Sequence, residues 1–140
     1  MIELDYAWAA GFLDGDGSFS LRAYNRYKRN MIQPVVQSSQ LCPEPLERLY
    51  KIADGGSIND NTVSPLGKQV WRIQIYGRDR LITFLNGIYP YLIVKQKQCG
   101  LLLQVLAKQK TRGENKPYTE NEWDWFFDQK RRIEEWNAES

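Results

Sequence analysis

The sequence predicts an α+β domain built on one antiparallel sheet. Three observations lead there: a helical pattern before residue 14, two pairs of strand-like segments separated by a second helical pattern, and helical spacing over most of the C-terminal third. The first helix is expected over Asp5 to Leu13. Asp5 would cap it, Ala9 and Ala10 favour it, and Tyr6, Ala9, Ala10 and Leu13 share a face. Gly15 and Gly17 are expected to end it. Phe19 to Tyr24 alternates as a half-buried strand. Ile32 to Ser38 is a second and less clean one, because Pro34 fits only where its nitrogen faces no partner. Pro43 and Pro45 open a helix carrying Leu46, Leu49, Tyr50 and Ile52, stopped by Asp54-Gly55-Gly56. Ser57 to Asn61 and Gln69 to Tyr76 bracket a Ser-Pro-Leu-Gly turn as a hairpin, with Trp71, Ile73 and Ile75 on one side of its second strand. Further helices are expected over Asp79 to Asn86, over Tyr91 to Lys108, and from Thr119 onward. The last is announced by the capping box Thr119-Glu120-Asn121-Glu122, with Tyr118 in the staple position. Trp123, Phe126, Phe127 and Ile133 are assigned to the core. No internal repeat or linker divides the chain, so residues 1–140 read as a single domain.

Composition narrows the function classes. Apolar residues make up 42% of the chain and charges of both signs are frequent, the profile of a globular protein rather than a disordered one. No apolar run is long enough to span a bilayer, and the N-terminus lacks the basic start and apolar run of a secretory signal. An intracellular protein, in cytoplasm, nucleoid or organelle and without a membrane partner, is expected. Cys42 and Cys99 lie far apart and histidine is absent, which excludes the usual zinc patterns and points to two reduced thiols. The net charge of +2 says little, but charge is segregated. No acid falls between Asp16 and Glu44, where Arg22, Arg26, Lys28 and Arg29 cluster, whereas Glu120 to Ser140 is acidic on balance. One segment is thus positive enough to attract phosphate.

The informative segment is Ala9-Ala10-Gly11-Phe12-Leu13-Asp14-Gly15-Asp16-Gly17. Asp14 and Asp16 fall at the carboxyl end of the first helix, where the dipole is already negative, so two acids there are unfavourable unless a cation offsets them. A hard cation such as magnesium takes oxygen ligands. A calcium loop is excluded, because the later oxygen ligands and terminal glutamate of that motif are missing. Taken alone, Asp-Gly-Asp-Gly fits a surface turn with solvated acids better than a metal site.

The longer string Ala10-Gly11-Phe12-Leu13-Asp14-Gly15-Asp16-Gly17-Ser18-Phe19 resembles the signature of LAGLIDADG homing endonucleases, with Ala9 standing where leucine is usual. The resemblance implies an αββαββα fold with a saddle-shaped antiparallel sheet over the DNA major groove, here with additional C-terminal helices. It implies that two motif helices pack together, giving Ala9, Ala10, Phe12 and Leu13 a place in a dimer interface. It assigns the metal-binding carboxylate to Asp16, with the Gly15 carbonyl as a second ligand, and leaves Asp14 without a catalytic role. Pro90 to Gln98 resembles the family's segment that opens a late helix, matching Lys95 to an active-site lysine, with Lys97 two residues on. Gln40 matches a glutamine that organises water, although Leu41-Cys42-Pro43 departs from the polar residues usual there. An arginine common just beyond is replaced by Glu44, and whether Arg48 substitutes stays open.

With Phe19, Leu21 and Ala23 toward the core, alternation turns Ser20, Arg22, Tyr24, Arg26 and Lys28 the other way. Gln33, Val35, Gln37 and Ser39 form the equivalent face of the second strand, and Asn59, Asn61, Arg72 and Gln74 that of the hairpin. Arginine and glutamine suit guanine and adenine edges. Only one motif is present, since Asp54-Gly55-Gly56 lacks the preceding helix signature, so a homodimer on a pseudo-palindromic double-stranded site is expected. The expected activity is that of a homing endonuclease, intron-encoded, making a double-strand break by Mg²⁺-assisted hydrolysis with Asp16, Gln40 and Lys95 as catalytic residues. The alternatives are an RNA splicing maturase, a non-catalytic DNA-binding module on the same fold, or a purely structural protein.

Overall fold

A computed structural model describes residues 2–26, 29–112 and 116–139, with the side chains of Arg26, Arg29, Asn30, Asn61 and Thr62 not described. The order is α1 (Ile2–Asp16), β1 (Gly17–Arg26), β2 (Arg29–Gln40), α2 (Glu44–Ala53), β3 (Ser57–Val63), β4 (Gln69–Ile75), α3 (Arg78–Ile88), a 3₁₀ turn (Tyr89–Tyr91), α4 (Gln96–Arg112) and α5 (Glu120–Glu139). The strands form one antiparallel sheet in the order β1-β2-β4-β3. The expected succession of helix, two strands, helix, two strands and helices is therefore the observed one.

The sheet has one apolar face. Phe19, Leu21, Ile32, Val36, Ile73 and Ile75 are buried there with Leu13 of α1, Leu46 and Leu49 of α2, Phe84 and Leu85 of α3, Leu102 and Leu106 of α4, and Phe126 and Ile133 of α5. Burying these large side chains is the main force holding helices to sheet, at about 1.5–3 kcal/mol each. Pro34 sits in β2 where that strand has only β1 beside it, because the β2–β4 ladder spans just Val36 to Gln40. It therefore costs no rung with β4. Ala23, expected in the core, is exposed.

Two boundaries differ instructively. α1 starts at Ile2, so Asp5 lies in its first turn rather than at its cap, where its charge still suits the helix dipole. α4 starts at Gln96, five residues later than expected. Leu92 is extended, and Ile93 to Lys95 are held out of the helix by contacts to Asp14 described below. Close approaches rely on two glycines. A Cβ on Gly17 would lie 2.9 Å from the Leu13 Cα, and one on Gly87 would lie 2.4 Å from the Tyr6 ring, where α1 meets α3.

The C-terminal helix is joined to the sheet edge. Asn137 of α5 donates to the Phe19 carbonyl of β1 (2.9 Å). Gln109 of α4 donates to the Ile32 carbonyl of β2 (2.7 Å) and to the Tyr118 hydroxyl (3.0 Å). The capping box forms as expected: the Glu122 amide donates to Thr119 Oγ1 (3.2 Å), and the Thr119 amide donates to Glu122 Oε1 (2.9 Å). Tyr118 stacks on Phe126 and tilts against Trp123, completing the staple. Among the described residues, no helix is long and apolar enough to cross a membrane.

Candidate active site and nucleic-acid face

The two motif acids have different fates. Asp14 is spent on the protein itself. Its Oδ2 accepts the Ile93 amide (2.8 Å), and its Oδ1 accepts the amides of Val94 (3.1 Å) and Lys95 (3.0 Å). These amides immediately precede the N-terminus of α4, the positive end of that helix, so the carboxylate is electrostatically matched to its place. Asp16 is the last residue of α1, is exposed, and its carboxylate meets no donor or cation among the described residues. Only its main chain is fixed, the Asp16 carbonyl accepting Ser38 Oγ of β2 at 2.9 Å.

Lys95 stands at the same end of α1. Its ammonium donates to the carbonyl of Leu13 (3.2 Å), one of the terminal carbonyls of α1, and to that of Gly17, the first residue of β1. A lysine has three N–H donors, so one remains without a partner among the described residues. The chain thus gathers an open carboxylate and a fixed ammonium around one helix terminus. Gln40 lies two residues past Ser38 on the same face of β2, about 7 Å further along the strand. Arg48 is elsewhere: its guanidinium sits over the Trp8 ring at 4.2 Å and 3.9 Å from Asp5, toward the other end of α1. Lys97 pairs with Glu139 (3.8 Å) and lies over Trp136.

The interface expectation needs correction at three positions. Ala9, Ala10 and Leu13 have no exposed surface, because they pack into the chain's own core. The outer stripe of α1 runs through Leu4, Trp8, Gly11, Phe12 and Gly15. Leu4, Gly11 and Gly15 are exposed, and Trp8 and Phe12 are half-buried and stacked at 5.3 Å. Of the residues named for the interface, only Phe12 lies on this stripe.

The sheet face away from the helices carries the polar set. Register places Ser20 opposite Val35, Arg22 opposite Gln33, and Tyr24 opposite Met31. Gln37 is matched with Gln74, and Ser39 with Arg72, which is in turn opposite Asn59. Two cross-strand hydrogen bonds tie this face together, Arg22 Nη2 to Gln33 Oε1 (2.6 Å) and Gln74 Nε2 to Gln37 Oε1 (3.3 Å). Val35, only 2% exposed, is buried on this side and outside the main core. A groove of about 430 Å³ runs beside it, lined by Arg22 and Gln37 of the sheet and by Lys130 of α5. Lys28 and the side chains of Arg26 and Asn61, expected on this face, lie outside what the structure describes.

Sequence reasoning missed Ser38 and Lys130. Ser38 had a legible signal, a lone hydroxyl in the buried phase Ile32, Pro34, Val36 of β2. Lys130 had none, since only the packing of α5 on β1 brings it to the groove. Neither thiol is a reactive candidate at this site. Burial pushes Cys99 up to about 12, with its Sγ donating to the Leu85 carbonyl, and Cys42 is exposed elsewhere in the chain.

One motif-bearing helix, with one carboxylate open and the other clamped by the main-chain amides of Ile93, Val94 and Lys95, stands beside a four-stranded sheet with a polar outer face. The same fold occurs in solved proteins. A DNA endonuclease of Chlorella vulgaris, I-CvuI, is 28% identical over 107 residues, which cover 76% of this chain and 66% of the relative. The chain thus spans just under two thirds of that relative's length. The I-CvuI crystal structure with its DNA target in the presence of calcium matches at a TM-score of 0.66 and 25% identity, covering 79% of this chain and 71% of that one. In sequence and fold the chain is thus similar to a homing endonuclease. The homing endonuclease I-TnaI shares the fold end to end, with a TM-score of 0.70 over 96% of both chains at 17% identity. No protein-family model matches the sequence. The segment of this chain that resembles the LAGLIDADG signature is residues 9–17, and its two acids are the clamped Asp14 and the open Asp16.

Proposed function

We propose that the chain is a site-specific DNA endonuclease that acts as a homodimer with a divalent metal, magnesium in the cell. The observation that carries this reading is the open Asp16 carboxylate at the negative end of α1, with the Lys95 ammonium fixed on the adjacent carbonyls. An unpartnered acid at a helix C-terminus is unfavourable by itself and is stabilised when a cation binds. Asp16 and the Gly15 carbonyl would hold that ion. One carboxylate and one carbonyl would supply only part of the oxygen ligands such an ion takes, and a second copy would add an equal set. The outer stripe of α1 favours the same assembly. The helix is apolar on both sides, one buried in the core, the other formed by Leu4, Trp8 and Phe12 with Gly11 and Gly15 leaving room for close approach.

Bound there, a divalent ion supplies Lewis-acid stabilisation of charge on the phosphate oxygens. The other work falls to the chain. Asp14 fixes the backbone of residues 93–95 and so the origin of the Lys95 side chain. The third N–H of Lys95 is available to a non-bridging or leaving oxygen, placing positive charge where negative charge grows. Gln40 orients the attacking water through its amide. The polar sheet face, Ser20, Arg22, Tyr24, Gln33, Gln37, Ser39, Asn59, Arg72 and Gln74, would lie in the major groove.

The test is cleavage of a plasmid library of candidate insertion sites in magnesium, the wild type beside Asp16→Asn. The wild type should linearise one class of plasmid, while the variant binds the same site and cuts it more than about 100-fold more slowly. A wild type that binds a site tightly and never cuts it would establish a binding module. One that prefers structured intron RNA would establish a maturase.

A further inference from the structure

We infer that Arg22 and Gln33 act as one reader of a single guanine, with Arg22 making the base contact and Gln33 serving as a positioning residue that never reads a base itself. This deepens the proposed DNA-cleaving function and rests on it. The two residues are directly opposite each other on β1 and β2, on the sheet face away from the helices. Arg22 Nη2 donates to Gln33 Oε1 at 2.6 Å. That bond decides what each can still do.

Glutamine recognises adenine with two atoms at once, Oε1 accepting from N6 and Nε2 donating to N7. Oε1 keeps a second lone pair, but the bond to Arg22 fixes the orientation of the amide, so Gln33 is not free to turn Oε1 and Nε2 together onto an adenine. Arginine has five N–H donors and needs two for the O6 and N7 acceptors of guanine. Giving one to Gln33 leaves enough, and it fixes a long side chain that would otherwise lose rotamer freedom on binding. The guanidinium is exposed, so it is available to a base edge. The neighbouring Gln37–Gln74 bond is weaker at 3.3 Å and involves no charge, so the arginine pair is the stiffer reader.

Binding selection from a random duplex library tests this without a known target. The wild type should enrich a site with a strongly preferred guanine, repeated symmetrically about the centre if two copies bind. Arg22→Ala should erase that preference, a change of roughly 5- to 100-fold for guanine over other bases. Gln33→Ala should weaken the preference at the same base pair and create none elsewhere. Gln33→Glu keeps the acceptor for Arg22 and should retain the guanine even if total affinity falls. The inference is overturned if Gln33→Ala changes selection at a different base pair while the guanine survives, or if Arg22→Ala leaves the guanine intact. A wild type that enriches no sequence would overturn the endonuclease reading, and this inference with it.

Discussion

Asp14 and Asp16 are chemically identical and two residues apart, yet about half a helical turn separates a strut from an open carboxylate. Asp14 faces the start of α4 and accepts three main-chain amides, so its charge is matched by N–H dipoles. Asp16, at the last position of the helix, faces outward with only its carbonyl held, by Ser38. Replacing Asp14 by alanine should therefore do two things. Unfolding free energy should fall by about 2 kcal/mol, since a carboxylate with several amide donors is lost. Cleavage should also fall, because the Lys95 backbone loses its anchor, while DNA binding by the sheet persists. Urea titration and a gel-shift assay separate the two effects. Unchanged stability in Asp14→Ala would refute the strut.

At the scale of elements, one arginine ties the end of α4 to the start of α5. Arg112, near the end of α4, makes a two-pronged contact with Glu122 (2.8 and 2.9 Å), donates to the carbonyls of Lys116 and Pro117, and stacks over Tyr118. Its guanidinium, with the Thr119 amide, holds the Glu122 carboxyl down to about 2. A depressed carboxylate stabilises the fold above its unfolded value, near 4.3, and that contribution is lost as pH falls through the folded one. Glu122→Gln preserves an acceptor for Thr119 but not the charge. Urea midpoints of wild type and variant should thus differ at neutral pH and converge between about pH 4.5 and 2. A gap independent of pH would assign the effect to packing alone.

For the molecule as a whole, α1 is the decisive piece, because it is apolar on two sides and a single copy covers one. A Cβ at Gly11 would meet nothing within 4 Å, so Gly11→Glu fits the isolated chain. Removing a helical glycine should leave monomer stability equal or raise it by about 0.5–1 kcal/mol. The same change places bulk and like charge where two α1 helices would meet. Sedimentation should show the wild type at twice the monomer mass and the variant at the monomer mass, with cleavage lost. A dimeric, active Gly11→Glu would remove α1 from the interface.

How much was legible follows from how local each feature is. The order of elements, the capping box at Thr119 and the phase of β1, β2 and β4 were readable, because they depend on spacing within a few residues. Two separate resemblances, of residues 9–19 and of Pro90 to Gln98, assigned Asp16 and Lys95 to one expected site. The true face of α1 was not readable: when apolar and small residues surround a helix, periodicity cannot say which side the sheet takes, and Ala9, Ala10 and Leu13 went inward. Nor could spacing show that Asp14 would delay the start of α4, since the contact joins residues about 80 positions apart. By itself, then, the sequence determined that one open carboxylate would stand at the end of a helix beside an antiparallel sheet. Only tertiary packing decided that Asp14 would be clamped by three amides, that the Lys95 ammonium would be fixed on the carbonyls of Leu13 and Gly17, and which side of the helix stayed outside the core. Those choices depend on amides, carbonyls and apolar surface supplied by distant parts of the chain.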